Sequence, residues 1–73
     1  RNLIWLATQD GLIVWNPKNE EIRMFYMENG LVNNSIQAIS EDRHHVMWIT
    51  TSYGISCVNV VQEGGRTEFF FQL

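Results

Sequence analysis

Trp5 and Trp48 lie 43 residues apart, each inside a short apolar run, and that offset constrains the fold more than any other feature. Sliding the chain by 43 residues lays Leu3-Ile4-Trp5-Leu6-Ala7-Thr8 on Val46-Met47-Trp48-Ile49-Thr50-Thr51. The same shift lays Gly11-Leu12 on Gly54-Ile55. Trp5/Trp48, Thr8/Thr51, Gly11/Gly54, Asn16/Asn59 and Arg23/Arg66 become identities. Such a repeat comes before any domain count, because one copy is a supersecondary unit that cannot bury its apolar surface alone.

Each copy reads as β structure. Leu3–Thr8 and Leu12–Trp15 are apolar runs separated by Gln9-Asp10-Gly11. Asp-Gly between such runs is a strong hairpin signal, and it implies a type I′ turn with both central residues at positive φ. Pro17 ends the second run, since it cannot donate to a ladder. Further strands are expected over Glu21–Met27, Ser35–Glu41, Val46–Thr51, Ile55–Val60 and Thr67–Gln72, with Gly64-Gly65 turning between the last two. No stretch sustains a helical period.

A period of 40–45 residues with several short strands per copy marks a β-propeller blade. The expected fold is all-β, about two four-stranded antiparallel blades, the first lacking its innermost strand. Residues 1–35 would form the incomplete three-stranded blade and its inter-blade loop, and residues 36–73 one complete blade. A whole propeller at this period needs on the order of 300 residues. The chain therefore reads as a piece of something longer, or as one that completes itself by association.

The apolar load supports that reading. Of 73 residues, 45% are hydrophobic, with three Trp, four Phe and two Tyr. A chain this short buries only about 62% of its unfolded surface, and Cys57 alone cannot staple it. Alternate residues of a strand face opposite sides of the sheet, yet Leu3-Ile4-Trp5-Leu6, Val46-Met47-Trp48-Ile49 and Phe69-Phe70-Phe71 are apolar on both. Sheets of that kind lie between neighbours.

Composition removes other classes. The net charge is −3, and Arg1, Lys18, Arg23, Arg43 and Arg66 are scattered singly, which excludes a basic nucleic-acid patch. No apolar run approaches a membrane span, and no leader is expected at Arg1. No cofactor motif is present, and no nucleotide-binding or phosphoacceptor motif for kinase chemistry.

Leu31-Val32-Asn33-Asn34-Ser35-Ile36-Gln37-Ala38-Ile39-Ser40-Glu41-Asp42-Arg43, followed by Met47-Trp48-Ile49-Thr50-Thr51 and Gly54-Ile55, resembles the two-component regulator propeller repeat. That blade reads roughly L-x-x-N-x-V-x-A-I-x-E-D, a short turn, L-W-I-G-T, then G-L and a D-P or N-P pair. Ile4-Trp5-Leu6-Ala7-Thr8, Gly11-Leu12 and Asn16-Pro17 match it in the earlier copy, so the resemblance spans residues 2–71. The departures are Ala7 and Thr50 for the small Gly after W-I, His45 for the Gly before the Trp strand, and Asn59-Val60 for the N-P pair. The resemblance implies the periplasmic sensor region of a hybrid two-component receptor, in which two propellers precede an immunoglobulin-like domain, a membrane helix and a histidine kinase. It further implies oligosaccharide ligands, signalling through rearranged packing between propellers or subunits, and a dimeric parent. Expected partners are the remaining blades or other copies of the chain. A propeller interaction scaffold without a small ligand, or non-catalytic blades of a propeller lyase, are the alternatives.

No catalytic or metal-binding constellation is expected. Asp42, His44 and His45 are too close in sequence to converge on one ion, and Asp42 is expected to brace its own turn. Asp10, Tyr53, Asn29, Asn33 and Asn34 are the candidate ligand-binding residues, because the turns after Trp5 and Trp48 and the inter-blade loop should open on one propeller face. Ordinary turn chemistry is the competing reading of each. Asn33-Asn34-Ser35 also fits a glycosylation pattern, which carries no weight in the bacterial setting that the resemblance implies. Trp5, Trp48 and the Phe69–Phe71 run are expected to be packing residues, and Cys57 a small buried hydrophobe.

Overall fold

The computed structural model describes residues 3–72; Arg1, Asn2 and Leu73, at the outer limits of the two expected blades, lie outside the described residues. Strands account for 63% of the described residues. They run in the order β1 (Ile4–Thr8), β2 (Gly11–Asn16), β3 (Glu21–Phe25), β4 (Ile36–Glu41), β5 (Met47–Thr51), β6 (Gly54–Glu63) and β7 (Arg66–Gln72). The first three form one antiparallel meander, β1-β2-β3, and the last four a second, β4-β5-β6-β7. The fold is all-β, with the strand make-up of adjacent propeller blades.

Local chemistry explains where the strands stop. β3 ends at Phe25 rather than Met27, because Tyr26 opens a single 3-10 turn over Met27–Asn29. The Asn29 side-chain carbonyl accepts the Tyr26 N–H at 2.8 Å, and Gly30 closes the turn at φ 118°. β6 runs on to Glu63, where Gly64 and Gly65 at φ 56° and 78° make the two-residue turn whose positive dihedrals suit the strand twist. This extension corrects one element of the repeat. Val14 pairs with Arg23, but Cys57, the repeat equivalent of Val14, pairs with Gln72. The 43-residue offset therefore holds through Asn16/Asn59 and fails in the last strand, and Arg66 is not the structural counterpart of Arg23.

The two sheets pack face to face. Leu12, Val14, Phe25, Leu31, Ile36, Met47, Ile49 and Val58 form the buried core, with Trp5, Phe69 and Phe71 packed against it. The Phe25 ring sits 4.9 Å from Phe69 and 5.0 Å from Phe71, and Trp5 meets Phe69 edge-on at 5.9 Å. The Arg23 guanidinium lies over Phe25 and Phe69, at 5.5 and 5.3 Å from the ring centres. Such a contact contributes about 0.5–1 kcal/mol while the charge stays wet.

Equivalent residues of the two copies differ in burial. Leu12 is fully buried, whereas its counterpart Ile55 is 51% exposed. In the other direction Leu6 is 46% exposed, whereas Ile49 is fully buried. Ile4/Met47 and Trp15/Val58 repeat the second pattern. Of the two tryptophans expected to be packing residues, Trp5 is half-buried between the sheets, whereas Trp48 lies on the outer face, 41% exposed. Cys57 shares that outer face and is half-buried rather than buried. The sheets are thus stacked front to back, as successive members of a series, and not as a two-fold sandwich.

Candidate functional site

Both turns after the Trp strands are built by the same two residues. In Thr8-Gln9-Asp10-Gly11 the Thr8 hydroxyl donates to the Gly11 carbonyl at 2.6 Å and accepts the Asp10 N–H at 3.0 Å. In Thr51-Ser52-Tyr53-Gly54 the Thr51 hydroxyl donates to the Gly54 carbonyl at 2.7 Å and accepts the Tyr53 N–H at 3.1 Å. Gly11 and Gly54 take φ of 118° and 150°. The Asp10-Gly11 pair is not the expected type I′ turn: Asp10 is absent from the left-handed region, and the central residues are Gln9 and Asp10, closed by the Thr8–Gly11 pair. A threonine that ties its own backbone two residues on replaces the doubly left-handed turn with one that needs a single glycine at its end. Asp10 and Tyr53 consequently occupy the same turn position, both exposed, Tyr53 at 81%.

The inter-blade loop is bound to both turns. The Gly11 N–H donates to the Asn34 carbonyl at 2.7 Å, and the Tyr26 ring packs over Gly11 so closely that an added Cβ would fall 2.6 Å from it. At the second turn, the Ser52 N–H donates to the Ser35 carbonyl at 3.2 Å, Ser52 Oγ donates to Ser35 Oγ at 3.1 Å, and Val32 packs over Gly54. The Val32 N–H in turn donates to the buried Ser56 hydroxyl at 2.9 Å. One end of the two sheets thus gathers the Asp10 turn, the Tyr53 turn and residues 26–35. The three candidate asparagines are framework as well as surface. Asn29, Asn33 and Asn34 accept the N–H groups of Tyr26, Ser35 and Met27 through their side-chain carbonyls, at 2.8, 2.9 and 2.8 Å. Their amide NH2 groups remain the part that can address a ligand.

The opposite end is organised by Asp42. One carboxylate oxygen accepts the N–H groups of His44 and Val46 at 2.8 and 3.0 Å, and the other accepts the Trp48 indole N–H at 2.9 Å. The indole hydrogen bond first, then the Val46 N–H, hold the Asp42 carboxyl below the usual carboxylate range. The bracing role read from sequence is therefore present, and it extends to the Trp strand. His44 and His45 diverge: His45 Nδ1 donates to Glu41 Oε2 at 2.9 Å, away from Asp42. His45 stands at φ 66° where the repeat pattern has glycine, a left-handed position that costs a side-chain-bearing residue about 1–2 kcal/mol.

Beside it, a cleft of about 360 Å³ opens between the sheets, lined by Trp5, Glu41, His45, Met47, Val60 and Gln62 among others. This cleft combines one aromatic ring, a carboxylate and an imidazole with an apolar floor. Sequence reading passed over it because its residues come from separate strands and a turn; the only signal was His45 in a glycine position.

Residues 30–53 match the two component regulator propeller family. The match supports a two component regulator propeller repeat over that stretch, which is less than half of the chain. The repeat opens at Gly30, spans the inter-blade loop, β4, the Asp42 turn and β5, and ends on Tyr53 in the second threonine turn. It includes Asn33, Asn34 and Tyr53 of the candidate residues, and excludes Asp10 and Asn29. The repeat family is regulatory rather than catalytic. No curated protein matches the chain, and no solved structure does. Among the described residues no helix is long and apolar enough to cross a membrane.

Proposed function

We propose that the chain contributes two adjacent blades to the ligand-sensing propeller of a hybrid two-component receptor, on the periplasmic side, and that its ligands are oligosaccharides. The observation that carries the reading is the repeat at residues 30–53. Its loop and second threonine turn are hydrogen-bonded into one end of the sheets, and the Asp10 turn joins them there. Sugar recognition uses aromatic faces and amide or carboxylate groups, and this end presents an exposed phenol at Tyr53, a carboxylate at Asp10 and the asparagine amides. The blades carry no reaction step in this scheme. A ligand bridging the turns and the loop would alter packing between blades, and that displacement is the signal.

A glycan array probed with the full-length protein that carries this segment tests the proposal. The expected result is binding of a defined oligosaccharide class, weakened at least tenfold by Tyr53→Ala with the fold retained. Binding to no glycan overturns the sensor reading and leaves the interaction scaffold, which the apolar outer faces favour. Binding with Tyr53→Ala unchanged removes Tyr53 from the site.

A further inference from the structure

Asn29-Gly30 is a reactive pair as well as a turn, and Asn29 is the only asparagine of the chain that precedes a glycine. An asparagine side-chain amide is open to attack by the backbone nitrogen of the next residue, and glycine, with no Cβ, hinders that attack least. Both residues are exposed to water, which the reaction consumes. The fold nevertheless holds both reacting groups elsewhere. The Asn29 side-chain carbonyl accepts the Tyr26 N–H at 2.8 Å, three residues back along the chain. The Gly30 N–H donates to the Met27 carbonyl at 3.0 Å, so the attacking nitrogen is engaged as well. This turn is itself pinned. The Asn34 side-chain carbonyl accepts the Met27 N–H at 2.8 Å, and Phe71 packs so closely on Gly30 that an added Cβ would lie 2.9 Å from the Phe71 Cβ. Leu31, directly after the pair, is buried in the core.

We propose that Asn29-Gly30 is a site of spontaneous deamidation and that the inter-blade loop governs its rate. Reaction requires the turn over Met27–Asn29 to open, freeing the Gly30 nitrogen from Met27 and the Asn29 amide from Tyr26. The Gly30 nitrogen then gives its proton to hydroxide and bonds to Asn29 Cγ. The Cγ–Nδ2 bond breaks, and Nδ2 takes up a proton from water and leaves as ammonia. Water opens the resulting cyclic imide at either carbonyl, leaving aspartate or isoaspartate at position 29. Aspartate keeps an acceptor for the Tyr26 N–H and adds one negative charge. Isoaspartate routes the main chain through the former side chain, one atom longer, so the Gly30 N–H loses its register with the Met27 carbonyl. Either product replaces the Asn29 NH2 group by a carboxylate, at the end of the sheets that gathers the Asp10 and Tyr53 turns. The inference stands apart from any sugar ligand.

Peptide mapping by mass spectrometry tests the proposal, on the full-length protein that carries this segment and on a synthetic peptide of residues 24–36. Both are incubated in the same mildly alkaline buffer, and electron-transfer fragmentation separates aspartate from isoaspartate. The peptide is expected to convert at Asn29 ahead of Asn33 and Asn34, and the folded protein to convert there more slowly by about tenfold or more. Asn34→Ala removes the acceptor of the Met27 N–H and should raise the protein's rate by about threefold or more. Asn34→Asp keeps that acceptor and should leave the rate near wild type. Circular dichroism verifies that each variant folds; urea below the unfolding transition, which loosens the turn without a substitution, repeats the test if Asn34→Ala does not. A peptide in which another asparagine converts first overturns the assignment of the site. Equal rates in peptide and folded protein overturn control by the loop, and so does a rate that neither Asn34→Ala nor urea raises.

Discussion

The indole N–H of Trp48 donates to the carboxylate of Asp42 at 2.9 Å, so the residue that marks the repeat is held by the residue that braces the preceding turn. This bond, with two backbone N–H donors on the other oxygen, favours the ionised carboxylate and lowers its pKa in the folded state. A group whose folded pKa lies below its unfolded value stabilises the fold above the unfolded value, near 4, and that contribution is lost as pH falls through the folded one. Wild-type chain should therefore lose stability as pH falls below about 4. Asp42→Asn, which cannot titrate, should be less stable than wild type at pH 7 and lose less on acidification. Urea midpoints at pH 7 and pH 3 for the two proteins check it, and equal losses would remove Asp42 from the acid response.

Gly11 and Gly54 end equivalent turns, but their surroundings differ. A Cβ on Gly11 would lie 2.6 Å from the Tyr26 ring and 3.0 Å from the Phe25 carbonyl; on Gly54 it would lie 3.1 Å from a Val32 methyl. Each alanine must also hold a left-handed φ, at about 1–2 kcal/mol. Both substitutions should destabilise by at least that amount, and Gly11→Ala by more, because a backbone carbonyl yields less readily than a methyl. Chemical denaturation of the two variants gives the order.

The existence of seven strands and their pairing into three and four were legible in the sequence, because apolar runs of strand length alternate with Gly, Pro and Asn signals. Which face of each sheet is covered was not. Leu6 and Leu12 look alike in sequence, and so do Trp5 and Trp48; only the stacking of one sheet on the other divides them. The Asp10-Gly11 turn was misread because the dipeptide outweighed the threonine before it, whose hydroxyl decides the geometry. The Arg23/Arg66 identity misled for a different reason, since β6 outruns β2 and shifts the register of everything after it. The candidate residues Asp10, Asn34 and Tyr53 did fall at one end, as a meander dictates: turns between the same strands of each unit share an end.

Among the described residues, two with side chains stand in the left-handed region, Glu20 at φ 64° and His45 at φ 66°. Glycine relieves the steric cost but loses more entropy on folding, so the net gain from Glu20→Gly should be about 0.5 kcal/mol. For a domain of this size that raises Tm by roughly 2–4 °C. His45→Gly should gain less, because it also gives up the His45–Glu41 contact, which is solvent-exposed and contributes little. Thermal unfolding followed by circular dichroism ranks the two, and a drop in Tm for Glu20→Gly would contradict the strain assigned to that position.

Leu12 and Ile55 occupy the same place in successive copies and opposite places in the fold. Truncating a fully buried leucine removes its transfer energy and leaves a cavity, at about 2–5 kcal/mol. In a chain whose total stability is of order 5 kcal/mol, Leu12→Ala should leave a substantial unfolded population. Ile55→Ala removes a similar side chain from a face open to solvent, and it should change stability by less than about 1 kcal/mol. The contrast tests the front-to-back stacking directly. A two-fold sandwich would place both residues inside and give equal losses, so comparable urea midpoints for the two variants would overturn the assignment of the covered faces.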